Sequence, residues 1–204
     1  MKLSKSILLM LFLIGSTVMS CIYGECDPVP GYFKITGINS VNMRLTSDQD
    51  QPLDPIREDG MVDWENYLIQ YEFSRELIAK TENRFGAKLM AYNCVESGSQ
   101  GDKIGLDTLY LTAGSDYNAE FKQGDTLNSI VLIQNYIHTY SLSEFDSIST
   151  YITQNKEGVR NDQFILRLAQ PPVSTGKYAF VITYILNNGD LFTNTTNPVS
   201  LRVD

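Results

Sequence analysis

Tyr178-Ala179-Phe180-Val181-Ile182-Thr183-Tyr184-Ile185-Leu186 is the stretch on which the fold turns. Tyr178, Phe180, Ile182, Tyr184 and Leu186 fall on one face, the two-residue period of a half-buried strand. Asn187-Asn188-Gly189-Asp190 follows and suits a tight hairpin turn, because Asn and Gly tolerate positive φ. A return strand is therefore expected from Leu191, and Val199-Ser200-Leu201-Arg202-Val203 reads as another. Upstream, Phe164-Ile165-Leu166-Arg167-Leu168 is strand material that Pro171-Pro172 must end.

Thr175-Gly176-Lys177-Tyr178-Ala179-Phe180 resembles the tyrosine corner of immunoglobulin-like sandwiches, with Phe180 where antibody domains carry the second core cysteine. Earlier segments agree with a β architecture. Residues 66–74 put Tyr67, Ile69, Tyr71 and Phe73 on one side and Gln70, Glu72 and Ser74 on the other. Residues 87–95 place Met90, Tyr92 and Cys94 together, and residues 106–113 set Leu109 and Leu111 against Asp107. Residues 32–36 and 41–45 read as strand, with a bulge or bend expected at Gly37. Residues 46–60 hold Pro52 and Pro55 and read as an irregular polar loop, and 116–128 as turns. Residues 129–133 suit either an extended or a short helical run. One helix is expected over 144–154, with Ser143 as its cap, Asp146 as the acidic partner, and Phe145, Ile148 and Ile152 at helical spacing. The expected fold is mostly β: an immunoglobulin-like antiparallel β-sandwich with one added helix, forming a single domain over 32–204.

The first twenty residues belong to a different category. Lys2 and Lys5 precede the apolar run Ile7-Leu8-Leu9-Met10-Leu11-Phe12-Leu13-Ile14, and Gly15, Ser16 and Ser20 follow, the order of a secretory leader. Eight apolar residues are too few to cross a bilayer, which takes about twenty. Val18-Met19-Ser20-Cys21 resembles the lipobox of bacterial lipoproteins, although Met19 is larger than is usual there. That resemblance implies cleavage before Cys21 and acyl chains on its sulfur and new amino group. Residues 21–31 would then be a short linker, stiffened by Pro28 and Pro30, holding the domain close to the membrane. Ile22 after the lipid cysteine resembles outer-membrane sorting, which puts the expected location in the cell envelope.

Of three cysteines one is left over after any pairing, and a lipidated Cys21 accounts for it. Cys26 and Cys94 are then the natural disulfide in an oxidising compartment, closing a 68-residue loop valued at roughly 4 kcal/mol in chain-entropy terms. The alternative, Cys21 with Cys26, encloses little and leaves Cys94 free. Together, the leader, the cysteine pair and the sandwich-like ending resemble small lipoproteins of Gram-negative bacteria classed as domains of unknown function. Asn93-Cys94 to Gln100-Gly101, Asp116-Tyr117-Asn118 and Gly124-Asp125-Thr126-Leu127-Asn128 are the segments that carry the likeness. It implies compartment and fold, and lends no catalytic residue.

Removing residues 1–20 takes away two lysines and no carboxylate, which leaves 184 residues with a formal charge of −10. That balance, without any Lys/Arg run, argues against nucleic acid or an anionic bilayer surface as partner. Membrane contact is expected from the acyl chains on Cys21 alone. Chemistry is sparsely signalled. His138 is the single imidazole, with Ser141, Ser143 and Asp146 nearby in sequence but no nucleophile-elbow motif. The carboxylates of 48–59 could attract calcium, yet Pro52 and Leu53 occupy EF-hand ligand and glycine positions. No metal, cofactor or catalytic residue is expected. Trp64, at the edge of a loop between Asp63 and Glu65, is the weak candidate for stacking on a ligand. The expected role is a non-enzymatic binding or envelope-assembly module, with an envelope protein as partner; the alternative is a glycan-binding accessory protein.

Overall fold

The computed structural model describes residues 31–46, 52–57, 60–78, 98–135 and 145–203. The leader, the linker up to residue 30 and the strand expected over 87–95 lie outside them. Among the described residues twelve strands run in chain order: β1 (Tyr32–Leu45), β2 (Leu53–Pro55), β3 (Met61–Asp63), β4 (Tyr67–Ile78), β5 (Leu106–Ala113), β6 (Val131–Asn135), β7 (Asp146–Ser147), β8 (Gln163–Leu168), β9 (Gly176–Tyr178), β10 (Phe180–Leu186), β11 (Leu191–Thr195) and β12 (Val199–Arg202). A six-stranded sheet has the order β2-β1-β4-β8-β6-β7. Opposite it stand two three-stranded sheets, β11-β10-β5 and β3-β12-β9. Every pairing is antiparallel except that of β3 with β12. This is a mostly β, immunoglobulin-like sandwich.

The core follows from alternation. Tyr67, Ile69, Tyr71 and Phe73 of β4 and Phe164, Leu166 and Leu168 of β8 point inward. From the other layer Leu109 and Leu111, and Phe180, Ile182 and Tyr184, meet them in one continuous cluster. Aromatic rings weld the layers: Tyr67 lies over Phe180 at 6.0 Å, and Phe73 meets Tyr184 edge-on at 5.0 Å. Phe164 is the hub, with Tyr71 at 5.2 Å, Tyr151 at 5.6 Å and Tyr184 at 6.1 Å. Such pairs add about 0.5–1.5 kcal/mol each beyond the area they bury. A smaller cluster, Met43, Leu68 and Ile165, sits apart from this core, with Leu45, Leu53 and Phe145 packed against it.

The tyrosine corner is present. The Tyr178 hydroxyl donates to the Ser174 carbonyl at 2.8 Å, two residues before the buried Phe180. The expected continuous strand over 178–186, however, divides at Ala179. Tyr178 pairs with Val199 in one small sheet, while Phe180 pairs with Ala113 in the other. Side-chain alternation survives the break, with Tyr178 and Phe180 buried on either side of Ala179. The hairpin after β10 is as expected: Gly189, at φ +87°, donates to the Leu186 carbonyl, and Leu186 donates to that of Asp190.

Three other expectations change. The helix, α1, spans Ile148–Gln154 and starts later than the sequence suggests. Its cap is Ser147, whose hydroxyl accepts from Thr150 N; Ser143 lies outside the described residues. Asp146 and Ser147 are held extended by pairing with Ile133 and Leu132, so the helix begins only at Ile148. Leu53–Pro55 is not irregular: it is a short edge strand on the end of β1, where a proline's missing N–H costs little if it faces solvent. Residues 128–133 combine both readings, a 3-10 turn (Asn128–Ile130) running into β6. The expected bulge is there, as a register shift of β1 on β4 between Ile35 and Gly37.

Candidate functional site

Along the outer edge of β1 the described main-chain partners change from one end to the other, and β11 packs against its middle. In an antiparallel strand alternate residues turn their N–H and C=O to opposite sides. On β1 the Asn42 carbonyl accepts from Ile56 N and Thr46 N donates to the Pro52 carbonyl, so even-numbered residues here face outward, away from β4. Ser40 and Ile38 share that parity. Among the described residues, no main-chain partner meets either of them on that side. Beyond the bulge the outward parity passes to Ile35 and Phe33, and these are covered again. Phe33 N donates to the Gly101 carbonyl at 3.0 Å, and Ile35 N to the Asp102 carboxylate at 2.8 Å.

The covering strap explains why Asp102 can be 96% buried. Its second oxygen accepts from Ile104 N, and its backbone exchanges two hydrogen bonds with Val159. Gly101 sits at φ +79° with the Val159 carbonyl 2.1 Å from where a Cβ would be, so only glycine fits the pass. The outer edge of β1 is thus closed by β2 at one end and by residues 101–102 at the other. Between them lies a pocket of about 150 Å³ lined by Ser40, Val41, Asn42, Ile56, Arg57 and residues 197–199.

The inner wall of this pocket is fixed by polar side chains. Asn42 is 91% buried; it donates to the Asn197 carbonyl at 2.8 Å and accepts from the Tyr67 hydroxyl at 2.7 Å. The Ser40 hydroxyl donates to Asn194 Oδ1 at 2.5 Å across the sandwich. The outer wall differs. Val41 is 47% exposed, and Arg57 and Asn197 are exposed. Arg44, Arg75 and Arg202 each pair with an aspartate, Asp54, Asp162 and Asp63 respectively. Arg57 pairs with no described carboxylate.

Burial controls ionisation deeper in the core. Desolvation raises the phenols of Tyr67, Tyr71, Tyr117, Tyr151 and Tyr184 above the ordinary value of 10.0. Tyr151 and Tyr184 lie near enough to affect each other's ionisation, yet no hydrogen-bond geometry joins their hydroxyls. Among the described residues no group of three His, Cys, Asp or Glu is arranged to hold a metal ion.

Of the residues singled out from sequence, Cys21, Cys26, Cys94, His138, Ser141, Asp48, Asp50, Glu58 and Asp59 lie outside the described residues. Trp64 opens the 3-10 turn Trp64–Asn66 and is partly buried, leaning on the main core. Asp54 is engaged by Arg44, and Asp63 by Arg202 at 2.5 Å. The pocket beside Ser40 and Asn42 gave no signal in the sequence, because it depends on which distant segments become neighbours.

No protein-family profile and no curated protein matches the chain. A solved structure, the C-terminal domain of the Streptococcus pyogenes antigen I/II-family protein AspA, aligns over 81% of this chain at 12% identity with a TM-score of 0.26. The match spans 46% of that chain, under half its length.

Proposed function

We propose that the protein is a lipid-anchored extracytoplasmic module of the cell envelope, held through Cys21 in the outer membrane, with Cys26 joined to Cys94. Its role in this reading is non-enzymatic: it binds a partner or helps assemble an envelope complex. The observation that carries it is the pocket on the β1 edge. At about 150 Å³ it is smaller than the roughly 300–1,000 Å³ clefts that enclose whole ligands, so it suits gripping part of a larger partner at the surface. Its rim combines exposed apolar Val41 with exposed Arg57 and Asn197, the mixture found at recognition surfaces.

The test uses the native chain in intact envelopes, with a photo-crosslinking residue at Val41 or, as control, at the more exposed Val173. A defined adduct from Val41 and none from Val173 is expected, lost when Cys21→Ala removes the anchor. Equal labelling at both positions, or an unmodified amino terminus by mass spectrometry, would overturn the reading. Binding to a glycan array that Trp64→Ala abolishes would favour the glycan-binding alternative.

A further inference from the structure

The outward face of the sheet β11-β10-β5 is built differently from that of the opposite layer. Ile182 and Tyr184 point into the core, so Val181, Thr183 and Ile185 point out. Residues directly opposite in an antiparallel pair share a face, and the register therefore sets out three rows. Thr195, Val181 and Thr112 stand abreast, and Thr126 continues their row through its bridge to Thr112. Thr193, Thr183 and Tyr110 form the next row, and Leu191, Ile185 and Thr108 the last. Thr126, Leu191, Thr193 and Thr195 are exposed and Tyr110 is half-buried. No position in the three rows is charged. β-propensity accounts for threonine, valine, isoleucine and tyrosine in strands, and not for the missing charge. The outward face of the six-stranded sheet satisfies the same propensities, yet it carries Lys34 opposite Glu76, Glu72 opposite Gln163 and Arg167 opposite Leu68.

We infer that these rows form a binding surface for a neutral glycan chain, which lies along the threonines with one sugar ring over Tyr110. Side-chain chemistry selects the class. Each threonine presents a methyl group that suits the C–H face of a sugar and a hydroxyl that donates once and accepts twice. Tyr110 adds a ring for stacking. Charge selects a neutral ligand. Asp107, which accepts from the Thr108 hydroxyl at 3.1 Å, and Asp125, beside Thr126, are exposed at the border and repel an acidic chain. A cationic partner finds no carboxylate within the rows. Size selects a thin chain over a protein. At about 4.8 Å between strands and about 3.4 Å per residue, the face measures roughly 19 Å by 17 Å in plan. That is well under the ~800 Å² per partner of a stable protein interface. The surface goes beyond the binding reading above, since it lies on the other sheet and uses neither Val41 nor Trp64.

The probes are cellohexaose, maltohexaose and laminarihexaose, each titrated into the full chain in a detergent whose headgroup bears no sugar. Amide and threonine-methyl NMR signals are followed. At least one probe is expected to saturate, with shifts concentrated at Tyr110, Thr183, Thr193 and Thr195. Tyr110→Ala should weaken that probe about tenfold, whereas Tyr110→Phe keeps the ring and most of the binding. Thr193→Glu, at an exposed position away from the core, should weaken it about fivefold with the remaining amide spectrum unchanged. Trp64→Ala should leave it unaltered, and hexagalacturonate should bind more weakly than the best neutral probe. No saturable binding by any of the three, or binding that both Tyr110→Ala and Thr193→Glu leave intact, would overturn the surface. Equal or tighter binding of hexagalacturonate would overturn its preference for neutral chains. Shifts at the same threonines that grow with protein concentration alone would replace the glycan by a second copy of this chain. Loss of binding in Trp64→Ala alone would move the glycan to that tryptophan. Failure of this assay leaves the Val41 adduct, and the reading it tests, untouched.

Discussion

Two sets of core tyrosines differ in one respect. Tyr67, Tyr117 and Tyr178 are buried and bonded: their hydroxyls donate to Asn42 Oδ1, the Gln170 carbonyl and the Ser174 carbonyl. Tyr71, Tyr151 and Tyr184 are as deeply buried, yet their hydroxyls find no partner among the described residues. The bonded set stands where segments must be located relative to one another: at the β1 edge, at the connection after β8, and at the end of β9, tied back to Ser174. The unbonded set surrounds Phe164, where rings pack on rings. The same side chain therefore does two jobs, fixing position in one place and filling volume in the other. The hydroxyl is essential to the first and a cost to the second.

Raising the pH is the harshest probe because it ignores the distinction. Tyr67 and Tyr117 from one set and all three of the other hold their protons above the ordinary 10.0 through burial. A raised folded value gives stability that is complete below about pH 10 and declines above it, as the unfolded chain loses protons that the folded chain retains. Each such phenol removes about 1.4 kcal/mol per pH unit, so five together match the stability of a typical domain by about pH 12. Absorbance at 295 nm should show these tyrosines ionising in one cooperative step with loss of far-ultraviolet β signal. Gradual ionisation of a folded chain would contradict the burial.

Removing the hub comes next. Phe164→Ala deletes a ring that three tyrosines touch and should cost about 3–5 kcal/mol in urea denaturation. Tyr67→Phe keeps the ring over Phe180 and strips only the donor to Asn42, leaving a buried acceptor unpaired at a cost of about 1–3 kcal/mol. Its amide signature is local, with faster exchange at Asn42 and Ile56. The smallest effect separates the two sets most sharply. Tyr184→Phe removes a hydroxyl that bonds to nothing described, and stability should stay within about 0.5 kcal/mol or rise. A loss as large as that of Tyr67→Phe would show that the two sets are one.

Alternation made much of this fold legible. The faces of β4, β8 and β10, the bulge at Gly37, the hairpin at Gly189 and the tyrosine corner all follow from local periodicity and turn chemistry. Features that depend on distant partners were not legible. Ser147 instead of Ser143 caps α1 because Asp146 and Ser147 pair with Ile133 and Leu132 of β6, residues 13 and 15 positions earlier in the chain. Pro52 and Pro55 spoke against a strand, yet an edge position tolerates them. The short β3, joined to β12, left no mark because three residues carry no period. Trp64, singled out at the edge of a loop, leans on the core.

The parallel pairing of β3 with β12 has a consequence in time. Asp63 meets Arg202 across 139 positions, and β12 also carries β9 on its other side. A ribosome delivers Met61–Asp63 long before Val199–Arg202 exist, so one small sheet stays unassembled until synthesis has passed residue 202. A nascent chain stalled short of β12 should be cut by protease near residue 61, whereas one released just beyond it should resist.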